Sequence, residues 1–500
     1  MTTADTTEAS QEIELKFALS PEALARLEAG AFGGVDAKAT DSTYFDTPER
    51  AALAAGYAVR LRKVGRKWLQ TVKGGGAAAV ARFEDERPVT GGALDLEALR
   101  DGPLAKAFDL DALAPLFETR VKRRTCAVEA DGAVIELALD QGQIVAGAAQ
   151  EAICELELEL KSGDPAALFK QARRLAEGGG LAISLTSKAE RGYRLASGAA
   201  RGPEKFDVQA LDLSGRAGDG FQALMFAGLH QLQANVRLLS ARPSLEAVHQ
   251  ARIALRRMRV MLKAFKAIAD DPQVAAIEGE LGRMTDVFAD ARNLDVFIAE
   301  TFRPYVRDEP GAAEFGEALL HAQAKAHEDV RHALAGDDFP MAVLDVLEWV
   351  ACGAWTQAAP TATQAERKLG AVAAEMLKHR RKLMLKRGGR LDWNDPLARH
   401  KLRIQAKKMR YLAEAFAPGF GGAKRFIAAL ETLQDRLGEL NDIATVSEVA
   451  HLALAAPVSR DAAFAAGALI GARRAEAARL VRKAKRACAR FAAEPPFWPG

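Results

Sequence analysis

The sequence predicts an α+β protein of two domains, in which an antiparallel β-barrel or tunnel is followed by an all-α domain. The chain has 500 residues, more than one hydrophobic core usually contains. Residues 11–196 contain stretches in which apolar and polar residues alternate with the period of two that is typical of strands. Residues 217–492 consist of long helical runs rich in Ala, Leu and Arg, and one basic motif occurs there twice.

The N-terminal part contains five clear strand-like segments, and we expect about eight strands in all. Two segments with helical character, at about 20–30 and 164–177, begin near prolines, which are favoured in the first turn of a helix. These helices would flank the barrel. The strand-like segments are EIELKF (12–17), AVRLRK (58–63), WLQTVK (68–73), AVIELALD (133–140) and AICELELEL (152–160).

The domain boundary is expected at residues 197–216. The segment SGAARGP (197–203) is small, contains glycine and ends in proline, which is typical of a linker. We assign 11–196 to the tunnel domain and 217–492 to two duplicated helical bundles. The polar residues 1–10 are expected to be a disordered N-terminus, and 493–500 a C-terminal tail.

The formal net charge of +3 conceals an asymmetry along the chain. Residues 216–500 carry 42 Lys and Arg against 33 Asp and Glu, whereas the preceding residues carry 27 against 33. A basic C-terminal half indicates an anionic partner. All eight histidines lie after residue 229, so the chemistry of the N-terminal half is expected to proceed without histidine.

The cysteine pattern and the polar N-terminus predict a cytoplasmic protein. Its four cysteines are far apart and form no CxxC pair, which is typical of reduced thiols. The polar N-terminus lacks the basic and apolar regions of a signal peptide, and no apolar run approaches the length of a membrane span. We therefore expect no membrane partner, and the sequence leaves the oligomeric state open.

Charged residues occupy one uniform face of several predicted strands. Glu155, Glu157 and Glu159 share a face, and Arg60 and Arg62 share a face of another strand. A solvated sheet face would explain any single strand, but solvated faces usually mix signs, and adjacent like charges repel. A closed barrel with a charged lumen explains all the strands together. Such a lumen suits a polyphosphate with divalent cations, because carboxylates bind Mg²⁺ or Mn²⁺ and basic side chains bind phosphate.

An ordered series of motifs in residues 11–195 resembles the CYTH superfamily, also called triphosphate tunnel metalloenzymes, and among them bacterial inorganic triphosphatases. The resemblance implies metal-dependent hydrolysis of inorganic triphosphate to diphosphate and phosphate. Positioning and charge neutralisation would drive the reaction without a protein nucleophile. The motifs are the ExExK of EIELKF, YFDT (44–47), RLR (60–62), TVK (71–73), RFE (82–84), ELELEL (155–160) and SKAERGYRL (187–195).

The resemblance also implies roles for individual residues. Glu12 and Glu14, with Glu157 or Glu159, would bind the metal. Catalytic roles would fall to Glu14, Lys16, Lys73 and Glu84, with the identity of the general base left open. The phosphate ligands would be Lys16, Arg60, Arg62, Lys73, Arg82, Arg123 (or Arg124 if the register shifts by one) and Lys188, and Glu136 and Asp140 would be further lumen residues.

The helical half contains the motif HQARIALRRMR (249–259) and a second copy, HKLRIQAKKMR (400–410), 151 residues later. Positions 0, 3, 7 and 10 of a helix fall along one stripe, so each copy would present a basic stripe. A solvated face is the usual explanation for one charge run, but it does not explain a uniformly basic stripe that occurs twice. The basic motif residues are His249, Arg252, Arg256, Arg257, Arg259, His400, Arg403, Lys407, Lys408 and Arg410.

These motifs, with RNLD (292–295) and LND (440–442), resemble the CHAD domain over residues 217–492. The resemblance implies a helical module that binds long-chain inorganic polyphosphate through the histidines and basic residues, and that places the enzyme near polyphosphate granules. A metal site at His249 and His400 is the alternative, but neighbouring cations would repel a metal. Nucleic acid is not the expected partner, because few aromatic residues accompany the basic stripes.

Two other functions remain open for the tunnel. Relatives in the superfamily include adenylate cyclases, thiamine-triphosphatases and RNA 5′-triphosphatases, whose substrates carry an organic group. Such a group would need aromatic contacts at the tunnel mouth, for which Tyr44, Phe45, Tyr57 and Trp68 are the candidates. The tunnel would instead be non-catalytic in a pure polyphosphate-binding protein, which the intact acidic and basic sets disfavour.

Overall fold

A computed structural model describes residues 12–78, 81–207, 211–305, 310–357, 363–455 and 457–499. The chain divides into two compact units. The first contains the residues up to Gly202 together with Gly336–Cys352, and the second contains Pro203–Ala335 and Gly353–Gly500. The change of unit after Gly202 lies within the stretch 197–216. The return of residues 336–352 to the first unit is a feature that the sequence pattern did not predict.

The first unit is built on an antiparallel sheet that closes on itself. Its strands follow the order β5-β4-β3-β2-β6-β7-β8-β1-β9, and β1 also pairs with β5 through Glu12 with Arg82 and Ile13 with Ala81. Eight strands therefore form the predicted tunnel, and β9 pairs with the end of β1. The strands are β1 (Glu12–Leu19), β2 (Lys38–Asp46), β3 (Tyr57–Val64), β4 (Lys67–Ala78), β5 (Ala81–Val89), β6 (Ala114–Ala130), β7 (Ala133–Ala146), β8 (Ala149–Ser162) and β9 (Leu181–Ile183).

Strand β6 shows why part of the sheet was hard to recognise from the sequence. Its lumen face carries Arg123, and its outer face carries Arg120, Lys122 and Arg124. With charges on both faces, the apolar and polar residues do not alternate cleanly, and the period of two is hidden.

The apolar faces of the strands point outward, as predicted, and helices cover them. Leu15 and Leu158 are almost fully buried on this outer side, and the fourth helix packs on β1, β7 and β8. Pro21 and Pro165 occupy first-turn positions as expected, after the capping residues Ser20 and Asp164. The helices of this unit are α1 (Pro21–Ala29), α2 (Ala51–Ala54), α3 (Leu96–Arg100), α4 (Pro165–Ala176), α5 (Lys188–Ala196) and α12 (Asp338–Cys352), with 3₁₀ turns at Pro103–Lys106 and Leu110–Ala112.

The second unit is helical, as predicted. Both copies of the basic motif lie on helices, α7 and α14, which pack against each other. None of the helices in the described ranges combines the length and apolar character needed to cross a membrane. The helices are α6 (Ala217–Ala241), α7 (Leu245–Ala264), α8 (Val274–Val287), α9 (Ala289–Val296), a π-helical turn (Phe297–Phe302), α10 (Arg303–Tyr305), α11 (Ala312–Ala335), a 3₁₀ turn (Ala354–Thr356), α13 (Leu369–Gly389), α14 (Pro396–Phe420), α15 (Lys424–Ala453), α16 (Arg460–Ala475) and α17 (Ala477–Ala493).

Residues 203–207 lie against the helices of the second unit. The buried Asn235 side chain donates to the carbonyl oxygen of Glu204 at 2.8 Å and accepts from its N–H at 3.2 Å. The Phe206 ring stacks on the Arg257 guanidinium, 3.9 Å from ring centroid to Cζ. These contacts hold the segment that follows the change of unit at Gly202.

Candidate active site and anion-binding surface

The strand register brings the predicted charged residues to the inside of the tunnel. Residues directly opposite each other in a sheet point to the same face. Glu14 lies opposite Glu159, and Lys16 lies opposite Glu157. The same face continues into the neighbouring strands through three further pairs, Glu159 with Glu136, Glu155 with Asp140, and Arg123 with Asp140.

Glu14, Glu159 and Glu136 form an acidic row across β1, β8 and β7. Lys161 Nζ lies 2.5 Å from a Glu159 oxygen and 3.6 Å from a Glu136 oxygen, and Lys16 Nζ lies 3.5 Å from Glu14. The three carboxylates remain between 24% and 39% exposed. Water-accessible carboxylate oxygens at adjacent positions are the ligands that Mg²⁺ and Mn²⁺ prefer, so the row fits a divalent cation.

A second group of carboxylates lies deeper and is paired with side-chain cations. Glu157 accepts from Arg123 at 2.6 Å and from Lys188 at 2.8 Å, with Lys16 at 3.2 Å. Burial opposes the charged form, but Lys188, Lys16 and Arg123 hold the pKa of the Glu157 carboxyl well below its usual range. Asp140, which is fully buried, accepts from Arg123 at 2.6 and 2.7 Å and from Lys188 at 2.7 Å.

Asp140, Glu155 and Glu157 also have the spacing of a metal site, because their ligand atoms lie within 4.8 Å of one another. Lys188 Nζ, however, contacts all three carboxylates. Burial lowers the pKa of Lys188, but the three carboxylates outweigh burial and raise it, so the ammonium stays charged. Lys188 thus already neutralises this group, whereas the carboxylates of the acidic row, which contact Lys161 and Lys16, are more exposed to water.

The opposite wall carries the predicted arginines. Arg60 contacts Glu84 at 3.3 Å and Glu86 at 3.6 Å, and Lys73 contacts Glu84 at 2.7 Å. Arg62 differs, because no carboxylate among the described residues forms an ion pair with it, and its buried Nε, like that of Arg60, has no hydrogen-bond partner there. Burial, together with Arg60 and Arg123, lowers the pKa of Arg62 to about 10. The guanidinium of Arg62 thus has unused capacity to bind an anion.

Helix α5 closes one end of the tunnel. A capping box of Ser187 and Glu190 begins the helix, and Lys188 and Arg191 bind lumen carboxylates. A Cβ atom on Gly192 would lie 2.0 Å from the Phe117 ring, so this glycine allows the helix to approach β6. Phe117 stacks on Tyr44 with ring centroids 4.5 Å apart and meets Tyr193 edge-on at 5.4 Å.

The structure resolves one uncertainty of the sequence assignment and adds one residue to the site. Arg123 is the lumen residue, whereas Arg124 points outward to Glu28 at 3.1 Å and to Gln141 at 2.7 Å. Arg191 joins the site although the sequence analysis did not single it out. Its guanidinium donates to Glu151 at 2.8 Å and to Glu155 at 3.1 Å. The side chains of Glu12 and Arg82, both predicted to face the lumen, lie outside the described residues.

In the second unit, the facing helices α7 and α14 contribute to one basic cluster, defined by His249, Arg252, Arg256, Arg292, Arg403 and Lys407. Burial, Arg256 and Arg403 lower the pKa of Lys407 to about 6. Burial and Arg292 lower the pKa of His249 to about 4. Asp442 is an acidic neighbour, and burial raises the pKa of its carboxyl. Mutual repulsion of this kind marks a site that an anion would stabilise.

Several predicted polyphosphate ligands lie away from this cluster. The buried Arg257 contacts Glu414 at 2.7 Å between the rings of Phe206 and Tyr411, and Arg410 contacts Glu414 at 2.5 Å. These two arginines are engaged in packing contacts of the helices.

Three further predicted ligands also lie outside the basic cluster. Lys408 lies near Arg259, and Lys263 and Arg380 are further cations at the same place. Arg380 is not part of either basic motif. His400 is exposed, with Nδ1 2.7 Å from Asn441 Oδ1. The first and last residues of each motif do not lie on one face of the helix. Ten residues rotate the helix about 80° less than three full turns, so the two end positions point in different directions.

Comparison with known proteins agrees with this architecture. Residues 10–193 match the family model of the CYTH domain, and residues 223–451 match that of the CHAD domain. An inorganic triphosphatase from Haemophilus influenzae is 31% identical over 199 residues, which cover 37% of this chain and 55% of that protein. The chain thus spans about half the length of this relative.

The helical unit also resembles a solved structure. The crystal structure of the CHAD domain from the plant Ricinus communis superposes with a TM-score of 0.52 at 24% identity, over 59% of this chain and 98% of the other. At this identity the likeness concerns the fold alone. Together with the two family models, these observations show that the chain carries a CYTH domain in its N-terminal half and a CHAD domain in its C-terminal half.

Proposed function

We propose that the tunnel hydrolyses inorganic triphosphate to diphosphate and phosphate with the help of a divalent cation. The main support for this proposal is that the tunnel carries a row of carboxylates and, beside it, a group of lysine and arginine side chains. An acidic row of Glu14, Glu159 and Glu136 lies beside a lumen lined with Lys16, Arg60, Arg62, Lys73 and Arg123. A triphosphate chelated to a metal presents the complementary pair of charges. The similarity to a relative named as an inorganic triphosphatase supports the same reaction.

The basic residues would act by binding and orienting the phosphates. Arg62, with its unpartnered Nε, would gain its first strong partner when the substrate binds. Phosphoryl transfer depends mainly on positioning and on neutralising charge as it develops, which clustered guanidinium groups provide. Mg²⁺ or Mn²⁺ bound by Glu14 and Glu159, with Glu12 as a further expected ligand, would supply Lewis acidity and a more acidic water.

We propose Glu84 as the general base that takes the proton of the attacking water. It lies between two phosphate-binding cations, at 2.7 Å from Lys73 and 3.3 Å from Arg60, and it is not part of the acidic row. A general base must lie within hydrogen-bond reach of the reacting centre, and the contacts of Glu84 with two phosphate-binding cations support that placement. Lys73 would keep the Glu84 carboxylate oriented toward the lumen.

The aromatic residues favour an inorganic substrate over an organic triphosphate. Phe45 and Tyr57 pack against a cluster around Leu104 on the outer face of the sheet. The Nζ of Lys63 lies over the Trp68 ring, and both side chains are on the outer face of the sheet. Tyr44 is buried with Phe117 at the end closed by α5. None of the four candidate residues is therefore placed to bind a nucleoside or thiamine group at an open tunnel mouth.

The second unit is proposed to bind long-chain polyphosphate. Support comes from the basic cluster, in which burial and then repulsion between neighbouring cations lower the pKa values of Arg252 and Lys407. A chain of closely spaced negative charges relieves this repulsion at several residues together. The match of residues 223–451 to the CHAD family model supports the same ligand, because polyphosphate binding is what this resemblance implies. The bound polymer would keep the enzyme near its store of phosphoanhydride bonds.

Phosphate release is the measurement that tests the tunnel's function. The full chain is incubated with triphosphate, long-chain polyphosphate, ATP or thiamine triphosphate, each with Mg²⁺, Mn²⁺ or a chelator. We expect metal-dependent release from triphosphate and much slower release from the two organic substrates. Absence of metal-dependent release from triphosphate would refute the proposed reaction, and preference for ATP or thiamine triphosphate would replace its substrate.

A further inference from the structure

Helix α12 belongs to the tunnel unit although its sequence lies inside the helical half. It runs antiparallel along α4. At one end, the carboxylate of Asp337 lies against Gly179, where an added Cβ would come within 2.9 Å of it. At the other end, burial, Glu348 and the α4 N-cap Asp164 raise the pKa of Cys352 to about 12. The helix therefore follows α4 over its whole length.

An ion-pair cluster joins the last turn of α4 to the middle of α12. Arg173 on α4 donates to Asp345 at 2.6 Å and also contacts Glu348. The charged groups are only partly exposed, so solvent screens them less than it would a surface pair. Apolar residues of α12 are fully buried, among them Val343, Leu347 and Val350. The contact is thus a packed interface with a specific polar centre.

The same helix packs on β9, which pairs with β1, the strand that carries Glu14 and Lys16. β9 has three residues and pairs with β1 through Phe17 with Ile183 and Leu19 with Leu181. The N–H of Ser184 donates to the carbonyl oxygen of Lys16 at 2.8 Å. A three-residue strand has too few ladder hydrogen bonds to stay in place alone. The position of β9 therefore depends on the helix that covers it, and β9 adds a hydrogen bond to the backbone of Lys16 beside the pairing of that residue with β8.

We propose that α12 is a positioning element of the tunnel, which fixes Lys16 on β1 by holding β9 in place. The proposal rests on the function proposed above, because Lys16 matters as a phosphate ligand. It implies that the segment 336–352 is required for the tunnel to bind its substrate. A tunnel domain cut at the boundary suggested by the sequence would lack an element of its own fold.

The test uses the full chain with the substitution Arg173→Glu, which places a third carboxylate beside Asp345 and Glu348. We expect amide hydrogen exchange at residues 181–184 to become about tenfold faster, the size of effect that one lost charged hydrogen bond produces. KM for triphosphate should rise about tenfold with little change in kcat, because a phosphate ligand is displaced and the chemistry is not. The double variant Arg173→Glu with Glu348→Arg should restore both quantities.

Arg120→Glu serves as the matched control, because Arg120 is an exposed arginine on the outer face of β6, 3.0 Å from Glu118. It makes the same charge change on the same unit and should leave exchange at 181–184 and KM unchanged. The proposal is overturned if Arg173→Glu leaves exchange at 181–184 unchanged, if it accelerates exchange equally in all strands, or if exchange recovers in the double variant without recovery of KM. If the wild-type protein has no triphosphatase activity, the proposed function is refuted and this inference is tested separately. The affinity for triphosphate in the presence of Mn²⁺ is then measured in place of KM.

Discussion

The cations of the tunnel differ in what they bind when no substrate is present. Arg123 holds Asp140 and Glu157, both at 2.6 Å, so its charge is used by the protein itself. Arg62 has a buried Nε without a partner in the described part of the chain and lies near Arg60 and Arg123. The first residue stabilises the fold, and the second is poised for an anion.

Substitution of these two arginines should therefore have opposite consequences. Arg62→Gln is expected to raise KM for triphosphate about 10- to 100-fold, the range for losing charged hydrogen bonds, while the free energy of unfolding stays equal or rises. Arg123→Gln is expected to lower the free energy of unfolding by about 3 kcal/mol, because Asp140 and Glu157 each lose one of their charged hydrogen-bond partners. Steady-state kinetics and denaturant unfolding measure both quantities. A destabilised Arg62→Gln variant would contradict the distinction.

The acidic row predicts a metal effect that needs no turnover. Adjacent carboxylates on β1, β8 and β7 repel each other, so a bound divalent cation should stabilise the first unit. At a metal concentration of a hundred times Kd the gain is about 2.7 kcal/mol. Thermal unfolding with Mn²⁺, Mg²⁺ or a chelator measures it. Glu159→Gln should remove most of the shift, whereas Glu118→Gln on the outer face should retain it.

Among the elements, α5 depends on one glycine. Gly192→Ala would place a Cβ 2.0 Å from the Phe117 ring, and we expect it to lower the free energy of unfolding by about 1–3 kcal/mol through overpacking. The companion substitution Phe117→Leu should recover part of the loss. Gly438, inside α15, has open space around it, so Gly438→Ala should instead stabilise by about 0.5–1 kcal/mol. Equal effects at the two glycines would show that α5 does not pack tightly against β6.

The facing helices α7 and α14 predict a pH dependence of polyphosphate binding. In the free protein the pKa of Lys407 is lowered to about 6, and a bound polyanion would raise it again. Binding should then be strongest below pH 6 and should weaken as the pH rises above 6, with uptake of up to one proton by this residue. The pKa of His249 is lowered to about 4, so deprotonation of this residue adds a smaller loss of polyphosphate affinity that begins at lower pH.

Calorimetry in buffers of different ionisation enthalpy measures this proton uptake. Lys407→Arg should flatten the dependence above pH 6, because a guanidinium stays charged throughout this range. Wild-type affinity that does not change between pH 6 and 8 would contradict the lowered pKa of Lys407. Lys401→Arg on the exposed face of α14 is a matched control that should retain the wild-type dependence.

For the whole molecule, the two anion sites should be separable by substitution in the full chain. Glu14→Gln is expected to abolish phosphate release from triphosphate and leave polyphosphate affinity within about twofold, because the acidic row and the basic cluster lie in different units. Arg256→Gln is expected to lower polyphosphate affinity at least about tenfold and leave triphosphate kcat unchanged. Loss of polyphosphate binding in Glu14→Gln would place that site in the tunnel instead.

The sequence by itself determined the elements and the chemistry of their faces. Alternation in segments such as EIELKF and ELELEL predicted strands, and their charged faces taken together predicted a closed barrel with a charged lumen. The duplicated motif likewise predicted two basic helices. These features are local, and local patterns of hydrophobicity and charge are present in the chain before it folds.

Only the tertiary structure decided which charges meet. It placed Arg123 and not Arg124 in the lumen, because strand register sets the direction of each side chain. It turned Arg257 and Arg410 away from the basic cluster toward Glu414, and it brought Arg292 into it. It also assigned α12 to the tunnel unit. Such pairings depend on contacts between residues far apart in sequence, which periodicity within a segment does not encode.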